Sequence, residues 1–168
     1  MRVLGISLGT TTTGIAVMEE GKLIASKTHS FRYTWSARKA DQITSCYQRY
    51  LKQFEPSFAC IKIPALTHHT DAIKELLKKV AALFAYHGCM VEYKTKEEVK
   101  TQYPLLQNQY KLMKYVTQQY PTLLPEFTTA TSRKNQYHAK LFDAVMMAHQ
   151  GNEHHRNNSG HDNMPYSP

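Results

Sequence analysis

What the chain has little of narrows it first. Its 168 residues include only three cysteines, Cys46, Cys60 and Cys89. They are widely spaced and form no CxxC pair, which removes a disulfide framework and a zinc knuckle from consideration. Each lies in an apolar setting, as expected of a buried free thiol in a reducing compartment. Nowhere do about 18 apolar residues run together, so no membrane-spanning helix is expected. The start, Met-Arg-Val-Leu-Gly-Ile-Ser, lacks the apolar core of a signal peptide, and a cytoplasmic location is expected. Acidic residues are also scarce: 13 against 21 lysines and arginines, a formal net charge of +8. That excess points to a polyanionic partner, nucleic acid first and an anionic membrane surface second. What is abundant is apolar: 42% hydrophobic residues, enough for one domain with a true core.

The pattern along the chain divides at about residue 36. Residues 2–8 are a short apolar run ending at Gly9; a second run covers 15–18, and Glu19-Glu20-Gly21-Lys22 reads as a turn into a third, from Leu23 to about Phe31. Three strands joined by tight turns form an antiparallel meander. From Ser36, a plausible N-cap, the period becomes helical, with Ile43, Cys46, Tyr47, Tyr50, Leu51 and Phe54 on one face. Pro56 ends that helix. A fourth strand (58–63) stops at Pro64, a helix spans about 70–87 with Gly88 closing it, and a fifth strand covers 89–93. Strand–helix–strand–helix–strand implies parallel pairing through right-handed crossovers. Further helices are expected at about 96–102, 107–120 and 139–150. Residues 151–168 show no apolar period and are expected to be a disordered polar tail, leaving 1–150 as the folded domain.

Four stretches carry a family resemblance. Leu4-Gly5-Ile6-Ser7-Leu8-Gly9 with Gly14-Ile-Ala-Val is the first, and Glu55-Pro56-Ser57-Phe58-Ala59-Cys60-Ile61-Lys62 the second. Val91-Glu92-Tyr93 with Val99-Lys100 is the third, and Phe142-Asp143-Ala144-Val145-Met146-Met147-Ala148-His149 the fourth. In order and spacing they resemble the RuvC Holliday-junction resolvases. The resemblance implies an α/β, ribonuclease-H-like fold: a five-stranded mixed sheet, three strands antiparallel and then parallel, flanked by helices. It also implies nucleic acid as partner, DNA before RNA, and a homodimer. The first stretch is similar to a sugar-kinase phosphate loop as well, but that superfamily needs a second lobe and more than twice this length.

Against the family pattern the acids are missing. The positions that match its four metal-binding carboxylates are Ser7, Lys62, Lys140 and Asp143, and only Asp143 is acidic. Paired divalent ions activate water and stabilise the leaving oxygen in such nucleases, and Mg²⁺ needs hard oxygen ligands of compensating charge. A lysine about 4 Å from a divalent ion repels it by roughly 8 kcal/mol at an effective dielectric of about 20. One carboxylate cannot offset two such lysines. The reading is therefore a catalytically degenerate domain, without a metal cofactor, in which Lys62 and Lys140 both pair with Asp143. The rival is a nuclease using Mg²⁺ or Mn²⁺ on a rearranged set around Asp143 and Glu92; a third reading is a protein-interaction domain on the same scaffold.

For nucleic-acid contact the candidates are cations with aromatics interleaved: Arg32, Trp35, Arg38 and Lys39 before the first helix, Lys62 in the cleft, Lys111 and Lys114 on a later helix, and Arg133 with Lys134 before the last. Trp35, the single tryptophan, can stack on an unpaired base or plug the core beneath its loop. His138 and His149 are read as helix-end or part-buried contacts. The loop pair His68-His69 and the tail histidines His154, His155 and His161 are not read as a site.

Overall fold

The computed structural model describes residues 1–133 and 136–159. β1 (Arg2–Ser7), β2 (Thr12–Glu19) and β3 (Lys22–Ser30) form the meander, followed by α1 (Ala37–Phe54), β4 (Phe58–Lys62), α2 (Asp71–Tyr86), β5 (Met90–Lys94), α3 (Lys96–Gln102), α4 (Gln109–Gln119), α5 (Leu124–Arg133) and α6 (Gln136–Ser159). The sheet order is β3-β2-β1-β4-β5. β1 runs antiparallel to β2 and parallel to β4, and β4 runs parallel to β5. This is the expected five-stranded mixed sheet.

Alternation along the central strands builds two cores. Leu4, Ile6, Ile15, Val17, Ala59 and Ile61 turn to one side, where α1 and α2 supply Ile43, Tyr47, Leu76 and Phe84. Val3, Ala16, Met18, Phe58 and Cys60 turn to the other, against Phe142, Val145 and Met146 of α6. All three cysteines are free and buried. Burial pushes the Cys60 and Cys89 thiols up to about 12, so neither is a ready nucleophile.

Two glycines set the depth at which α6 lies. A Cβ on Gly5 would sit 2.1 Å from the Ala144 carbonyl oxygen, and one on Gly14 would sit 1.9 Å from that of Lys140. With no side chain there, the helix backbone rests directly on β1 and β2. That contact carries Lys140 and Asp143 to the ends of β1 and β4. The helix starts are fixed by short polar caps: Ser36 and Thr70 accept backbone N–H bonds from Lys39 and Ile73. Thr95 and Glu98 form a reciprocal capping box at α3.

Three expectations need correction. Residues 151–159 are not a disordered tail; they continue α6 to Ser159, while 160–168 lie outside the described residues. Gly151 packs on Val3 and Phe58, Asn152 is buried, and the His155 ring meets Phe58 edge-on at a centroid distance of 4.6 Å. Helix α5 was not expected at all. The last helix begins at Gln136, three residues before its expected start. Among the described residues no helix is long and apolar enough to cross a membrane.

Candidate functional site

The carboxyl ends of β1, β4 and β5 point the same way, and the residues that follow them frame a cleft of ≈ 440 Å³. In open parallel sheets this edge is where ligands bind. Ser7, Lys62, Lys140 and Asp143, the four positions singled out from the sequence, all line it, together with Lys96, Glu97 and His68.

Lys62 Nζ lies 2.8 Å from Asp143 Oδ2, with side-chain exposures of only 17% and 9%. A pair this enclosed depends on its partner: removing either charge leaves the other desolvated. The second carboxylate oxygen, Oδ1, accepts a 3.4 Å bond from Gln109 Nε2 at the start of α4. Both oxygens of the one retained acid are therefore engaged.

Lys140 departs from expectation. Its Nζ donates to the Leu8 carbonyl at 3.0 Å rather than pairing with Asp143. The carboxylate still acts on it over a longer range. Burial lowers the Lys140 pKa, the Asp143 charge works against that, and the Lys62 charge adds to it. Lys62 holds the direct contact with Asp143, and the chain turning at Gly9 lets the Leu8 carbonyl reach Lys140: a Cβ on Gly9 would stand 3.1 Å from Lys140 Nζ.

A divalent metal does not fit this donor set. Ser7 is neutral, Lys62 and Lys140 are cations, and Asp143 is bonded on both oxygens. Among the described residues no three His, Cys, Asp or Glu side chains come together in a way that can hold an ion. Glu92, the candidate for a rearranged site, stands opposite Cys60 in the β4–β5 register, two positions short of the cleft. It is bonded to Lys94 at 2.8 Å. The balance leaves Lys94 with a raised pKa, burial opposing and the Glu92 bond outweighing it.

The surface candidates separate into several places. Arg32 and Arg38 are exposed, and Arg38 lines a groove of ≈ 590 Å³ along α1 with Tyr33 and Arg49, a residue that the sequence pattern did not single out. Lys39 is not a surface cation: it is 5% exposed and its Nζ donates 2.6 Å to the Tyr33 carbonyl, so it shapes the loop. Trp35 is half-buried against the α1–α2 core, closer to the plug than to a free stacking platform. Lys111 and Lys114 are exposed on α4, whose first turn reaches the cleft through Gln109. The Arg133 side chain and Lys134 lie outside the described residues. The residues missed from the sequence are Lys96, Gln109 and Arg49. Lys96 was open to inference, because it lies two residues past the end of β5, at the ligand-binding edge.

The histidines divide as well. His68 lines the cleft and is exposed, while His69 Nε2 bonds the Pro64 carbonyl at 2.8 Å. His149 is buried, with Nδ1 2.7 Å from the Tyr120 hydroxyl, and Nε2 3.2 Å from the Tyr115 hydroxyl and 3.4 Å from Glu153. Tyr103 donates to the other Glu153 oxygen. This network ties α3, α4 and α6 together.

Comparison with solved structures agrees with this fold. The chain matches no protein-family model and no curated protein sequence. It is similar to T. thermophilus RuvC in complex with Holliday junction substrate, at a TM-score of 0.71 and 17% identity over 95% of this chain and 97% of that one. A second Thermus thermophilus RuvC structure gives 0.69 and 17%, covering 94% and 97%. The chain has the RuvC-type, ribonuclease-H-like fold over nearly its whole length.

Proposed function

We propose that this chain binds nucleic acid, DNA in preference to RNA, and does so without metal-dependent cleavage. The observation that carries the reading is the enclosed Lys62–Asp143 pair at 2.8 Å, standing where the RuvC resemblance puts two metal-binding acids. Support comes from the similar RuvC structure, which holds a Holliday junction substrate. The net charge of +8 and the exposed cations Arg38, Lys111 and Lys114 supply the long-range attraction such binding needs. As in the family it resembles, the domain would act as a homodimer, and branched DNA is the ligand to try first.

The test is a mobility-shift series with four-way, linear duplex and duplex-RNA probes at two salt concentrations, with and without Mg²⁺ or Mn²⁺. Expected is binding that weakens steeply with salt, with DNA ahead of RNA and no cleavage above the level of Asp143→Asn. Replacing Arg38, Lys111 and Lys114 together with glutamate should weaken it further. Metal-dependent cutting that Asp143→Asn abolishes would refute the reading in favour of a nuclease. Absence of binding at either salt would refute it in favour of a protein-interaction role.

A further inference from the structure

We infer that the cleft is a metal-free site for a single phosphodiester group, gripped by the Lys140 ammonium from within and by Lys96 from the rim. This rests on the nucleic-acid reading above and specifies how that contact is made.

The argument starts from charge. Inside the cleft, Lys62 and Asp143 cancel at 2.8 Å. Lys140 is left over: among the described residues the acceptor bonded to it is the Leu8 carbonyl, at 3.0 Å, a neutral group that takes one of its three N–H donors. The inner wall therefore carries one positive charge with spare donors, and a phosphodiester carries one negative charge. Of the remaining charged groups, Glu97 also lines the cleft, but it is 75% exposed with Lys100 at 3.9 Å, so solvent and that cation screen its charge from Lys140. Lys96 is exposed on the lip.

An ammonium partly withdrawn from water, beside a carboxylate already bonded to Lys62, is costly, and the Lys140 pKa, lowered by burial against the pull of Asp143, reflects that cost. An anion placed in the cleft removes it. The cleft volume of ≈ 440 Å³ falls within the range of small-ligand pockets. A lysine suits a phosphate as a compact point charge.

The test is fluorescence anisotropy with a fluorescein-labelled four-way DNA junction in EDTA, using wild type, Lys140→Gln, Lys140→Arg and Lys96→Gln. Wild-type affinity should be unaffected by EDTA. Lys140→Gln should weaken binding about tenfold, as loss of a charged hydrogen bond does. It should also reduce the slope of log K against log salt by about 0.9, the loss of one phosphate contact. Lys140→Arg should restore the slope, and Lys96→Gln should give a smaller loss in the same direction. Lys96 is exposed, so its variant folds whatever becomes of Lys140.

Wild-type affinity and slope retained in both glutamine variants would overturn the site while leaving nucleic-acid binding intact. No wild-type binding at all would overturn the broader reading instead. A third arm raises the melting temperature with inorganic phosphate. Stabilisation that Lys140→Gln removes, with no change in its DNA slope, would mean that the cleft takes a free anion and would also overturn the phosphodiester assignment.

Discussion

Replacing Lys62 with methionine keeps the unbranched apolar stem, one atom shorter, and deletes its charge, leaving the Asp143 carboxylate buried. At 2.8 Å the direct attraction is about 6 kcal/mol for an effective dielectric of about 20. Desolvation of both groups cancels much of that in the intact pair, but breaking such a pair from one side typically costs 3–5 kcal/mol. Here the nearby Lys140 charge and the Gln109 bond retain part of the stabilisation of Asp143. The expected loss for Lys62→Met is therefore about 2–3 kcal/mol, or roughly 5–10 °C in melting temperature for a domain of this size. Asp143→Asn should cost about 3 kcal/mol, because it leaves two lysines facing each other. The double variant should lie within about 1 kcal/mol of the wild type, since neither charge is then stranded. Urea denaturation with a shared slope measures all three. If the single losses add to within about 0.5 kcal/mol, the two groups do not interact and the central pair of this site is not there.

Three further outcomes follow from the packing. Burial lowers the His149 pKa from 6.5, with the Glu153 charge opposing. Its contribution to stability is then complete above pH 6.5 and declines as the pH falls toward the folded-state value. The stability gap between wild type and His149→Gln should narrow from pH 7 to pH 5; a constant or widening gap in chemical denaturation would contradict this. Gly5→Ala should cost about 3 kcal/mol or more, because its Cβ meets α6 backbone rather than a movable side chain, and a melting temperature within 2 °C of wild type would refute it. Ending the chain after Gln150 should destabilise the domain by about 2 kcal/mol or more through lost packing on Val3 and Phe58, checked by thermal melting; an unchanged transition would restore the tail interpretation.

The sheet and its flanking helices were legible because apolar runs and helical periods alternate cleanly up to Tyr93. Helix α5 was not, for a local reason. Its sequence, Leu-Pro-Glu-Phe-Thr-Thr-Ala-Thr-Ser-Arg, is rich in β-branched residues of low helix propensity. In the fold Thr128, Thr129 and Thr131 return their hydroxyls to carbonyls four residues back, while Phe127 and Ala130 pack inward. The end of α6 misled in another way. Its inward face is Gly151, Asn152 and His155, which polarity alone assigns to solvent.

At the site, the four positions and the Lys62–Asp143 pairing could be read from the sequence, because topology brings the strand ends and the last helix together. The fate of Lys140 could not. Two ammonium groups competed for one carboxylate, and only the three-dimensional path past Gly9 shows that the Leu8 carbonyl takes the second. Lys39 failed for a similar reason: its charge suggested surface, whereas the bond to the Tyr33 carbonyl holds it inside.

The most direct measurement is anomalous diffraction from crystals soaked in Mn²⁺. The account predicts no ion between Ser7 and Asp143, and Lys62 Nζ still within hydrogen-bond reach of Asp143 Oδ2. Two manganese peaks in the cleft, with Lys62 and Lys140 swung away from it, would contradict it.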